Sequence, residues 1–119
     1  MVGYLKRDDS RYCVEYADRR VQVYWWPAAP EAIARAERWL GQALPRQEKV
    51  PETMLRTLIG YGAEFASVPI RGEREVEWHG KLSDGGAIKL VCFKQAPLND
   101  DEYDDAINTL KTWVSSYFS

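Results

Sequence analysis

Two runs near the start of the chain, "RYCVEY" and "VQVYWW", alternate between apolar and polar positions. A period of two is the mark of a half-buried strand. The arms 11–17 and 20–26 therefore read as one hairpin. Setting Ala17 opposite Arg20 pairs Tyr16 with Val21, Val14 with Val23 and Tyr12 with Trp25. These side chains share one face, the predicted core face. Arg11, Cys13, Glu15, Gln22, Tyr24 and Trp26 share the other. Loops of two or four residues keep this register, whereas a three-residue loop mixes the faces. The connection lacks Gly and Asn, so four residues are expected. Trp25 and Trp26 then point to opposite faces, and the open question is what covers Trp26.

The period changes after "WWPAAP". In "PEAIARAERWLGQAL", Ile33, Ala36, Leu40 and Ala43/Leu44 recur at helical spacing. Pro30 suits the first helical turn, Glu31–Arg35 is a favourable i,i+4 pair, and Pro45 ends the helix. "PETMLRTLIGYG" predicts a shorter second helix with Met54, Leu55, Leu58 and Ile59 as its stripe. Gly60 or Gly62 supplies its left-handed terminal residue.

Three strands are expected next, at 64–70, 74–81 and 87–94. Pro69 marks the first as an edge or irregular strand. "SDGG" at 83–86 is a hairpin signal. "AIKLVCF" is almost continuously apolar, which predicts a central strand covered on both faces. At the end, Tyr103, Ala106, Ile107, Leu110, Trp113, Val114 and Tyr117 form one broad helical stripe. Asn99 is its natural N-cap, and Asp100, Asp101 and Glu102 complement the helix dipole.

The predicted fold is α+β, with a mostly antiparallel sheet of about five strands in the order ββααβββα and an extra short strand near Tyr4. Helices pack on the sheet, and a long amphipathic helix closes the chain. At 119 residues one globular domain, 1–119, is expected.

Composition narrows the classes. The chain is 45% hydrophobic and 29% charged with net charge −2, which excludes disordered and collagen-like types. No apolar run approaches a membrane span and no leader pattern follows Met1, so a cytoplasmic protein with reduced Cys13 and Cys92 is expected. Basic residues are dispersed and the isoelectric point is near 5.4, which disfavours nucleic acid as a partner. Five Trp and seven Tyr are many for this size; some are expected at the surface, where such residues mark interfaces.

Candidate chemistry is sparse. Glu75, Glu77, His79 and Lys81 share one face of "EREVEWHGK", while Val76, Trp78 and Leu82 take the other. A "SDGG" turn of even length sets Ile88, Leu90 and Cys92 beside that charged row. A Glu77/His79 pair in such a partly dry groove can do general acid–base work. A solvated strand face explains the same alternation more simply. Glu75, Glu77 and His79 are a thin ligand set for zinc, so no metal and no cofactor is expected. Motifs for nucleophiles, phosphate loops and dinucleotides are absent. The acidic run "NDDEYDD" is explained by capping and the helix dipole, or it offers a surface to a basic partner.

Three functional classes follow. The preferred one is a non-enzymatic binding or accessory module, homo-oligomeric, with an aromatic interface or small-ligand cleft at Tyr24/Trp26. Arg11, opposite Trp26, is placed for a cation–π contact with it. The second is a small enzyme using Glu77 and His79. The third is a protein–protein adaptor or inhibitor presenting Asp100, Asp101, Asp104 and Asp105.

Overall fold

A computed structural model describes residue 3 and residues 5–16, 20–43 and 48–118. The order of elements is β1 (Leu5–Asp8), β2 (Arg11–Tyr16), β3 (Val21–Trp26) and α1 (Pro30–Ala43). A 3-10 turn (Glu52–Met54) then runs into α2 (Leu55–Ile59). β4 (Ala63–Phe65), β5 (Ile70–Arg71), β6 (Glu75–Leu82), β7 (Ala87–Phe93) and α3 (Asp100–Tyr117) complete the chain. The fold is α+β as expected, but the sheet has seven strands rather than about five. The strand near Tyr4 forms at Leu5–Asp8, Tyr4 itself lying outside the described residues. The strand expected at 64–70 splits into β4 and β5 around Pro69, which has no N–H for a sheet ladder.

All pairings are antiparallel, and the spatial order is β1-β2-β3-β7-β6-β4, with β5 also on β6. The first hairpin has the expected register: Tyr12 faces Trp25, Val14 faces Val23 and Tyr16 faces Val21. All of these side chains are buried. Residues 17–19 of its loop lie outside the described residues, as does the Pro45 helix stop.

The core forms on one side of the sheet only. Tyr12, Val14, Tyr16, Val21, Val23, Trp25, Val76, Leu82, Ile88, Leu90 and Cys92 pack against Ala36 and Leu40 of α1, Leu55, Leu58 and Ile59 of α2, and Ala106, Leu110 and Trp113 of α3. The stripe read for α3 is the one it buries, and Asn99 caps it by accepting from the Glu102 N–H at 2.8 Å. Gly60, not Gly62, ends α2 in the left-handed region, at φ 88°. On α1, Ala32 is buried and Ile33 is 39% exposed, so the buried stripe is rotated from the one expected. Arg35 does not meet Glu31: its guanidinium lies against Gly60 of the next helix instead.

Tyrosine hydroxyls tie neighbouring elements together, strand to helix, strand to loop and helix to helix. Tyr12 donates to Glu37 of α1 at 2.6 Å, Tyr16 to the Val50 carbonyl at 3.0 Å, and Tyr117 to Glu52 at 2.6 Å. Much of the aromatic surplus is therefore spent on the core. Among the described residues every Trp and Tyr is buried or half-buried.

The β6–β7 connection corrects the reading of the charged row. Leu82 pairs with Gly86, the Gly85 N–H donates to the Leu82 carbonyl, and Gly85 takes φ 91°. The loop is therefore Ser83–Asp84–Gly85, three residues with glycine in the left-handed position. An odd loop changes the parity of the pairing. Glu77 faces Val91 and His79 faces Lys89, while Ile88, Leu90 and Cys92 turn to the core with Val76 and Trp78. β7 is central, between β3 and β6, but helices cover only one of its faces.

Candidate functional site: the open face of the sheet

Because the helices gather on one side, no helix among the described residues covers the other face of the sheet. No residue of that face belongs to the hydrophobic core cluster. The register orders its side chains into rows across the strands. The first row holds Arg11, Trp26, Ala87, Lys81 and Glu64, and the second holds Lys6, Cys13, Tyr24, Lys89 and His79. The third holds Glu15, Gln22, Val91, Glu77 and Ile70. The last holds Phe93 and Glu75, with Arg20 beside them.

Tyr24 sits at the centre. Its ring lies 5.0 Å from the Arg11 guanidinium and 4.8 Å from Lys89 Nζ. Arg11 thus stacks on Tyr24; from its row it leans diagonally toward that ring, within reach on a sheet. The Tyr24 hydroxyl donates to Gln22 Oε1. Burial first, then neighbouring Cys13, pushes the Tyr24 phenol up to about 12, so it stays neutral at physiological pH. Trp26 is half-buried, and the Asp84 turn lies beyond it: the Asp84 carboxylate accepts from the Ala28, Ala29 and Gly86 N–H groups at 3.0, 2.9 and 2.7 Å. Burial opposes the charged form of Asp84, but these backbone donors outweigh it and hold the carboxyl below its ordinary value.

Glu77 and His79 do share this face. Glu77 takes Lys89 as its partner, Nζ to Oε1 3.2 Å, while His79 Nε2 stands 4.0 Å away. The His79 side chain is 51% exposed. The expected dry groove around the pair does not form, because the parity of the three-residue loop turns its apolar walls to the opposite face. A cleft of about 510 Å³ does lie at the edge of this face, between Glu64, Ala66, His79, Lys81 and Ala87.

Cys13 lies under the open face and Cys92 in the core, on opposite sides of the sheet, and both thiols are free. Burial raises both, which suppresses the reactive thiolate. Among the described residues no cluster of His, Cys, Asp or Glu could hold a metal ion. No helix among them is long and apolar enough to cross a membrane. Of the acidic run, Asp100 pairs with Arg71 at 3.2 Å and Asp105 with Lys94.

Sequence reasoning missed Ile70 and Phe93, which are 54% and 36% exposed on this face. For Phe93 the alternation within "AIKLVCF" was the available signal, hidden by the nearly unbroken apolar run. No family model, curated protein or solved structure matches the chain.

Proposed function

We propose that the protein is a binding module that assembles with a second copy of itself through the open sheet face. The carrying observation is that the seven-stranded sheet has helices on one side only, while the bare side bears Tyr24, Trp26, Ile70 and Phe93. A surface of this kind, apolar at points and rimmed by charge, is what marks an interaction site.

Charge on the face favours a second copy as the occupant. By register, the two rows at the Trp26 end carry Lys6, Arg11, Lys81, Lys89 and His79 against Asp8 and Glu64. The rows at the Phe93 end carry Glu15, Glu75 and Glu77 against Arg20. A two-fold axis lying between two such faces, and crossing the strands, sets the basic end of one on the acidic end of the other. Isologous contacts of this kind are the commonest route to a homo-oligomer. The same operation brings Trp26 and Tyr24 over the partner's exposed apolar end.

Size is consistent with this. Six strands about 4.8 Å apart and about 20 Å long span roughly 600 Å² of flat sheet, and side-chain relief raises that toward the ~800 Å² per partner of a stable interface.

Light scattering after size exclusion is expected to give twice the subunit mass, and Trp26→Ala is expected to return the monomer with unchanged circular dichroism. High salt shifts the balance toward monomer, because the charged ends are screened. A monomer at all concentrations would reject the reading.

A further inference from the structure

The α1–α2 groove is independent of the open face and carries a different chemistry. Arg35, Arg38, Trp39 and Gln42 recur on one face of α1 at i, i+3, i+4 and i+7. Across from them stand Met54, Arg56, Thr57, Leu58, Gly60, Tyr61 and Gly62. Two adjoining clefts result, about 390 Å³ around Arg35, Arg56 and the glycines and about 140 Å³ around Trp39, Met54 and Leu58. Among the described residues three arginines line them and no carboxylate does.

Arg35 is the centre of the groove and belongs to both clefts. Its guanidinium is slotted against Gly60: a β-carbon there would fall 1.7 Å from Nη1. Glycine at this position thus serves two needs, the left-handed cap and the space for a planar cation. Nη1 is buried and has no acceptor among the described residues. Among the described residues no carboxylate pairs with Arg35, although Glu31 sits one turn away on the same helix. Leaving a donor of a charged group without an acceptor is costly; Nη1 itself is closed off against Gly60, so an anion entering the clefts meets the guanidinium that lines both and offsets its unpaired charge. Trp39 Nε1, in the apolar cleft, also lacks an acceptor. Trp25 and Trp113 share that feature inside the core, so the guanidinium rather than the indole is the pointer.

We propose that the α1–α2 groove binds a small organic oxyanion, a carboxylate or phosphate held by Arg35 and Arg56, whose apolar body rests on Trp39, Met54 and Leu58. Guanidinium forks match planar oxyanions in pairs of parallel hydrogen bonds, and the adjoining apolar cleft selects a substituted anion over an inorganic one.

The test is a titration of the whole protein with benzoate, phenyl phosphate and inorganic phosphate, with uncharged benzamide as control, followed by calorimetry and by the Trp39 indole N–H resonance. At least one aromatic anion is expected to saturate and shift that resonance, inorganic phosphate to bind more weakly, and benzamide not to bind. Whichever of the two aromatic anions binds tighter names the headgroup. Arg35→Gln is expected to weaken binding at least about tenfold, in line with the loss of one charge-assisted contact. Arg56→Gln, on an exposed residue, serves as the second variant, with a loss of several fold. Equal binding of benzamide, unchanged affinity in both variants, absence of saturation, or a response confined to the open sheet face would each overturn the assignment.

Discussion

Trp25 and Trp26 are consecutive and identical in chemistry, yet they do opposite work, because strand alternation sends one inward and one outward. Trp25 is fully buried against the Tyr12 ring, centroids 5.7 Å apart. Trp25→Ala is expected to cost about 3–5 kcal/mol in urea unfolding, the usual loss for a buried large aromatic. Trp26→Ala is expected to cost less than about 1 kcal/mol of fold stability and to act on association instead. Equal losses from the two would mean that Trp26 belongs to the core. The tyrosines make a pH prediction at the same scale. Burial, followed by the hydrogen bond to Glu37, pushes Tyr12 up to about 12; burial raises Tyr24 to about 12 and Tyr16 further. A phenol raised in the folded state favours folding fully below its unfolded value of 10.0, and that contribution fades as pH climbs from there toward 12. Alkaline titration is therefore expected to show stability falling above pH 10, with the tyrosinate signal of these residues appearing only as the fold is lost. Tyrosinate signal from all tyrosines at the ordinary value in a folded protein would contradict this.

Single elements turn on loop parity and caps. The Asp84 carboxylate joins the β6–β7 turn to the approach of α1 through three backbone donors. Asp84→Ala is expected to cost about 1 kcal/mol at neutral pH, the usual worth of a helix-entry cap. Its carboxyl is held below the ordinary 3.8, so the contribution is present above that value and is lost as pH falls through the folded one. The gap between wild type and variant, measured by urea midpoints, should therefore close in strong acid; a gap that persists would locate the effect elsewhere. The same turn explains where sequence reading stopped short. The first hairpin was legible because apolar and polar residues alternate cleanly on both arms, so only one register buries the apolar set. α3 was legible from its broad stripe and Asn99. In the second hairpin, "SDGG" fits loops of two, three or four residues, and the apolar run of β7 could not choose among them. Gly85 in the left-handed position selects three, and that one residue decides whether Glu77 and His79 face Val91 and Lys89 or the row of Ile88, Leu90 and Cys92. Arg35 was unreadable for a different reason: its neighbour, Gly60, is 25 positions away in sequence, and only packing of α1 on α2 brings the guanidinium to the glycine.

For the whole molecule, the arrangement of layers matters more than any one residue. Among the described residues, three helices on one side of a seven-stranded sheet leave the other face without a helical cover, and by register its charges lean basic at one end and acidic at the other. On the assembly proposed above, a copy rotated by a half-turn would meet the aromatic, aliphatic and charged groups of that face. The α1–α2 groove lies in the helical layer, so an anion there and a partner on the sheet would occupy different sides and bind together. The most direct measurement is the solution mass of wild type and Trp26→Ala across a concentration series at low and high salt. Wild type is expected to run at twice the subunit mass at low salt and to dissociate on dilution or with salt, while Trp26→Ala stays monomeric with its fold intact. A wild-type monomer throughout, or a dimer indifferent to Trp26→Ala, would contradict the open face as the site of assembly.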